Sequence, residues 1–144
     1  MTATVAAQLP TPSIRRRLAS MVYESMLLAG VLFFGFFLPN VILGMVADAL
    51  PPRAILPIHA ILVVGAYFLW FWRRHGRTLA MQTWKIRLLS ADGVQPAIGQ
   101  LLLRFLLAWP CIFVLGAGLI WAVFDRDRQF LHDRLAGTRL VFTG

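Results

Sequence analysis

Apolar and polar positions divide this chain into three long apolar runs separated by short polar pieces. Met21 to Ala47 is a run of 27 positions whose one charged side chain is Glu24, with Arg15, Arg16 and Arg17 just before it. About 20 apolar helical residues cross the hydrocarbon core of a bilayer, so the run is long enough to span with some tilt. Backbone groups inside lipid have to be paired within the segment, which makes the run a helix. Ala54 to Trp72 is a second apolar run, of 19 residues, ending in Trp70 and Trp72 and followed by Arg73-Arg74. Tryptophan and then arginine mark the headgroup end of a span. Pro57 and His59 are its two oddities, and a histidine near the entry of a span reads as an interfacial residue.

The third run, Ile98 to Phe124, admits two readings. It holds Gln100 and Arg104 one helical turn apart, and Pro110 interrupts the hydrogen-bond ladder midway. Gly116 and Gly118 follow and permit bending or close helix approach. Either the run is one kinked span, or Gly99–Trp109 is an amphipathic interfacial helix and the part after Pro110 a shorter, tilted or re-entrant piece.

Between the runs, Met1–Ser13 is small, polar and proline-containing and reads as a disordered arm. The connector Asp48–Arg53 contains Pro51-Pro52 and cannot continue a helix. Within Arg73–Pro96, the stretch Trp84-Lys85-Ile86-Arg87-Leu88 alternates apolar and basic residues, the period of a strand, and Ala91-Asp92-Gly93 supplies turn chemistry. Thr138–Phe142 is a second β-prone segment, and the two pieces could pair as a ribbon at the membrane surface. The fold class is thus an all-α membrane protein with two to three transmembrane helices, an interfacial helix and a short cytoplasmic β-ribbon. Residues 14–144 form a single domain after an arm of residues 1–13.

Composition points the same way: 59% hydrophobic, 14% charged and a mean hydropathy of +0.73. A soluble domain carries about 25% charged residues. The net charge of +8 comes from arginines beside apolar spans, which fits anionic lipid headgroups as the partner and excludes nucleic acid as the expected one. Lys and Arg number three between the arm and the first run, one in the first connector, five in Arg73–Pro96 and four after Phe124. The positive-inside bias places the arm and the long polar stretch in the cytoplasm. Three full spans would send the C-terminal arginines outside; a hairpin or interfacial third run keeps them in, and the charge favours that. The first run far exceeds the roughly 7–15 residues of a signal-peptide core, so it reads as a retained span. Cys111, the single cysteine, reads as inert packing.

The candidate chemistry is sparse. Arg17 and Glu24 are seven residues apart, about 10 Å along one helical face. Glu24 either snorkels against arginine and water, or faces the helix bundle as part of a proton or cation path with Arg17 as its charge partner. His132-Asp133, followed by Leu135-Ala136 and a Gly-Thr turn, looks folded rather than solvated. Zinc spacing, calcium carboxylate arrays, nucleophile elbows and phosphate loops do not occur, so no catalytic residue, metal or cofactor is expected and the chain is not read as an enzyme.

Arg17-Leu18-Ala19-Ser20-Met21-Val22-Tyr23-Glu24, Gly76-Arg77-Thr78-Leu79-Ala80-Met81, the Lys85–Leu89 strand with Asp92-Gly93, Arg104, and His132-Asp133-Arg134-Leu135-Ala136-Gly137-Thr138 together resemble the RDD family of small bacterial membrane proteins. That family is named for an arginine and two aspartates. The resemblance puts the arginine at Arg17 and the second aspartate at Asp133. The first aspartate falls on Glu24, which keeps the carboxylate but departs from the pattern, and Ala80 stands where glycine is usual. It implies a multi-pass protein of the inner membrane with a charge cluster of Arg17, Glu24, Arg104, His132 and Asp133. Transport of unidentified ligands, with cation/proton exchange in some members, is what the family suggests. Too few spans are present to enclose a path, so a transporter would need a homo-oligomer or another membrane-protein partner. The alternative is a membrane adaptor that binds lipid or such a partner.

Overall fold

The structure, a computed structural model, describes residues 9–47, 51–113, 117–126 and 129–144. Helix α1 runs Ile14–Ala47 and α2 Ile55–His75, and both are long and apolar enough to cross a membrane. The short helix α3 (Leu79–Thr83), strand β1 (Ile86–Ser90), helices α4 (Ile98–Phe113), α5 (Ala117–Phe124) and α6 (Leu131–Leu135), and strand β2 (Thr138–Phe142) follow.

Helix α1 begins seven residues before the apolar run does, because Ser13 caps it: the Ser13 hydroxyl accepts the Arg16 N–H. Its 34 residues extend about 51 Å, well beyond a hydrocarbon core of about 30 Å. A five-residue π-helical stretch, Phe33–Phe37, interrupts α1 where Gly35 faces α2. A Cβ on Gly35 would lie 2.8 Å from Val63 Cγ1, so the glycine is what lets the helices approach there. One turn on, Asn40 donates to the Phe36 carbonyl and meets His59 Nδ1 at 3.1 Å. The His59 ring thus has an α1 partner.

Helix α2 carries Arg73, Arg74 and His75 in its last turn, where the carbonyl end of the dipole favours cations. It stops at Gly76, whose φ of +66° is left-handed and whose N–H bonds the Trp72 carbonyl. Thr78 then caps α3 by accepting the Met81 N–H.

The expected ribbon forms: β1 and β2 pair antiparallel, with Ile86 opposite Phe142 and Ser90 opposite Thr138. Trp84 and Lys85 are not part of it, contrary to the alternation that includes them. Lys85 turns with φ +54°, and the strand starts at Ile86. A two-stranded ribbon is marginal alone. Here one side packs Ile86, Leu88 and Leu140 onto Trp72, Met81, Leu101 and Phe105, and the other side packs Leu89 and Val141 with Leu9.

Residues 9–13, expected as part of a disordered arm, are held instead. The Pro10 carbonyl accepts the Phe142 N–H, and the Pro12 carbonyl accepts from Arg17. Residues 1–8 of that arm lie outside the described residues, as do Asp48–Leu50 of the first connector.

Of the second reading of the third apolar run, the amphipathic first part is seen. Helix α4 is amphipathic: Leu101, Arg104 and Phe105 are buried at i, i+3 and i+4, while Leu102, Leu103 and Leu106 are exposed. It passes through Pro110 and ends at Phe113, so the break falls after the proline rather than at it. Because β1 precedes this run, β2 follows it and the two are hydrogen-bonded, the chain leaves and returns at the same end of the molecule.

Candidate functional site

Beneath the ribbon, α1, α2 and α4 leave a cavity of about 500 Å³. Its charged wall lies near the ribbon, formed by Arg17, Arg104 and His132. Its deeper wall is apolar, with Leu28, Val64 and Trp109 among the lining residues. Position along each helix explains the gradient: the lining runs from the polar first turns of α1 toward the middle of its apolar stretch.

The five residues singled out in the sequence all sit around this cavity, four lining it and Asp133 behind them, but their pairings differ from the spacing argument. Arg104 forms an ion pair with Asp133, which is fully buried on α6. The Asp133 carbonyl also accepts the Thr138 hydroxyl, so α6 is fastened to both α4 and β2. One turn earlier on α4, Gln100 bonds the Gly137 carbonyl and the Ser90 hydroxyl across the end of the ribbon. The sequence pairing of Gln100 with Arg104 thus marks the helix face that holds the tail. The Arg104 guanidinium lies 4.9 Å from the centre of the Trp72 ring.

Arg17 and Glu24 are not partners. Glu24 accepts a hydrogen bond from Tyr67 of α2 at 2.6 Å and another from the Thr78 hydroxyl. Both bonds pull the acid toward α2 and the α3 cap. Arg17 is only 1% exposed. Its Nε donates to the Pro12 carbonyl at 3.1 Å, and its plane sits 5.1 Å from the Phe130 ring centre. Its two terminal nitrogens have no hydrogen-bond partner among the described residues. Asp125 acts on it electrostatically without forming an ion pair and is itself taken by Arg134 and the Gln129 N–H.

His132 stacks on Phe130 with ring centres 5.6 Å apart and stands 3.5 Å from Asp133. Burial, with Arg104 and then Arg17 close by, pushes its pKa down to about 3. Asp133 does not reverse this because Arg104 already engages the carboxylate. At neutral pH His132 is an uncharged ring, Arg104 and Asp133 cancel, and Arg17 is the cation of the wall without an ion-pair partner.

Tyr67 and Thr78 were not singled out in the sequence. Tyr67 is the one hydroxyl within Ala54–Trp72, which is a readable signal opposite a lone acid in α1. Thr78 carried only the pattern of a helix cap, and nothing local announces that its hydroxyl serves Glu24 as well.

The fold and site define a class: an apolar helical domain capped by a two-stranded ribbon that is tied down by buried arginine–carboxylate chemistry. The chain belongs to the RDD family, whose sequence pattern matches residues 11–137. The family and the two apolar helices together support a membrane protein. An uncharacterized protein of Rickettsia prowazekii is 33% identical over 82 residues, which cover 56% of this chain and 45% of that protein. The similarity therefore spans under half of the relative's length. No solved structure matches the chain.

Proposed function

We propose that this chain is a multi-pass protein of the bacterial inner membrane and the ligand-binding component of a transport process, with the cavity between α1, α2 and α4 as its binding site. The observation that carries this is the cavity itself: about 500 Å³, walled mostly by apolar side chains, with a few buried polar groups at one end. Small-molecule sites of roughly 300–1,000 Å³ have this make-up. Glu24 lines the same cavity as its acidic group. The N-terminal segment, the ribbon and the tail face the cytoplasm in this reading, in keeping with the positive-inside bias. With two long spans per chain, passage of a ligand requires a second copy or another membrane protein.

Native mass spectrometry of the protein extracted into polymer nanodiscs tests the reading. Wild type is expected to retain a non-covalent small molecule that Ala108→Trp, a change on the cavity wall, releases. Spectra showing the same bilayer lipids and nothing else for both proteins would leave the adaptor role in its place.

A further inference from the structure

We infer that the cavity takes a single-chain amphiphile with an anionic head, a carboxylate or phosphate seated on Arg17 and its chain running down toward Leu28 and Trp109. The inference rests on the cavity being a ligand site and adds the class of ligand. Three observations support it. Arg17 is 1% exposed, yet both terminal nitrogens are unpartnered, and it lines the cavity. A guanidinium carries a planar pair of donors matched to a carboxylate or phosphate. Leaving such a charge buried and unpaired is costly, and an anion entering the cavity removes that cost.

The neighbouring charges favour the same assignment. Asp133, behind the wall, is engaged by Arg104 and is no free acid. Glu24, the one acid among the described residues that lines the cavity, lies about 10 Å away along α1 and turns its oxygens to Tyr67 and Thr78. A head on Arg17 therefore meets a cation, and the chain beyond meets hydrocarbon.

Size decides between one chain and two. Taking roughly 30 Å³ for a water-sized group, 500 Å³ holds on the order of 17 such groups. That volume suits one medium chain with a small head better than a whole two-chain phospholipid. The lining reaches from Arg17 to Leu28 on α1, about 16 Å by helical rise, so the occupant lies along the helices with its head toward the ribbon.

Trp72 and Trp109 line the cavity and report on an occupant carrying bromine. In nanodiscs, with Trp70, Trp84 and Trp121 changed to Phe, four brominated probes are titrated: a medium-chain carboxylate, the matching alkyl phosphate, the matching alcohol and a two-chain phosphatidylglycerol. Saturable quenching is expected from the carboxylate and phosphate, at concentrations at least tenfold below the alcohol, and none from the phospholipid beyond that of bulk lipid. Arg17→Gln should remove the preference for the anions while the alcohol still binds, which shows the cavity intact. Ser20→Asp, one turn along α1 on the same wall, leaves Arg17 in place but supplies it with an internal carboxylate, and should remove the preference as well. Equal affinity of wild type for alcohol and acid, or a preference that survives both variants, overturns the inference while leaving the cavity a ligand site. Saturation by the phospholipid overturns it in favour of a bound bilayer lipid. Failure of all four probes to saturate overturns it together with the ligand-binding reading.

Discussion

Arg17 and Glu24 share one face of α1 and one cavity, yet each is bound to a different part of the chain. Glu24 ties α1 to Tyr67 of α2 and to the cap of α3. Arg17 reaches back to Pro12 and across to Phe130 beside the tail. Two charges that could have cancelled are kept apart, and the separation leaves one cation facing the cavity.

The pairing of β1 with β2 and of Phe142 with Pro10 places three segments at one end of the molecule. Reporter domains inserted at Asp92-Gly93 and fused after Gly144 should therefore give the same compartment reading, the cytoplasmic one. Opposite readings from the two positions would mean that the third apolar run crosses the membrane once and that the ribbon does not form.

Much of this was legible beforehand, and what was not has a physical reason. Hydropathy located both long helices because spanning a bilayer is a demand on every residue of the segment. The ribbon was visible because β-prone runs beside glycine and Asp-Gly turns carry a local signal. The apolar run begins seven residues after α1 does, because capping by Ser13 is a single side-chain bond that hydropathy does not register. Partner choice was the hardest. Spacing along α1 put Arg17 beside Glu24, but spacing within one helix carries no information on what α2 and the α3 cap present to it. Asp133 could be seen as peculiar; that it answers Arg104, 29 positions earlier, required the fold.

Breaking the Arg104–Asp133 pair should be among the most damaging single changes. Asp133→Asn leaves a buried guanidinium without its counter-charge, a loss of roughly 3–5 kcal/mol. Thermal unfolding in detergent is expected to show a large fall in midpoint, and Arg104→Gln combined with Asp133→Asn should recover part of it. A double variant whose loss equals the sum of the two singles would mean that the residues act independently.

His132 should make stability fall with acid. Its folded pKa of about 3 lies below the ordinary 6.5, so the unfolded chain takes up the proton first. The stabilisation is fully present above pH ~6.5 and is lost as pH drops from there toward ~3, at up to about 1.4 kcal/mol per unit. Denaturation midpoints measured from neutral pH downward should decline more steeply in wild type than in His132→Gln. Parallel curves would show that another group, with Asp133 the first to test, carries the acid sensitivity.

Thr78 performs two tasks with one hydroxyl, capping α3 and donating to Glu24, so its variants separate structure from ligand chemistry. Thr78→Ser keeps the oxygen and should be mild. Thr78→Val is nearly isosteric but loses a cap worth about 0.5–2 kcal/mol and a bond to a carboxylate worth about 1.5–3 kcal/mol. Glu24→Gln retains an oxygen for one of its two donors and should cost less than Glu24→Leu, which orphans both Tyr67 and Thr78. If Glu24 also binds a travelling proton or cation, a second and distinct loss follows. Any pH-dependent cation flux of wild type in reconstituted vesicles should vanish in Glu24→Gln and persist in part in Glu24→Asp, which keeps the charge with one methylene less reach. Thr78→Val, destabilised but with its carboxylate intact, should keep flux at temperatures where it remains folded. Flux that tracks stability across all these variants would make Glu24 a structural clasp between α1 and α2 and no more.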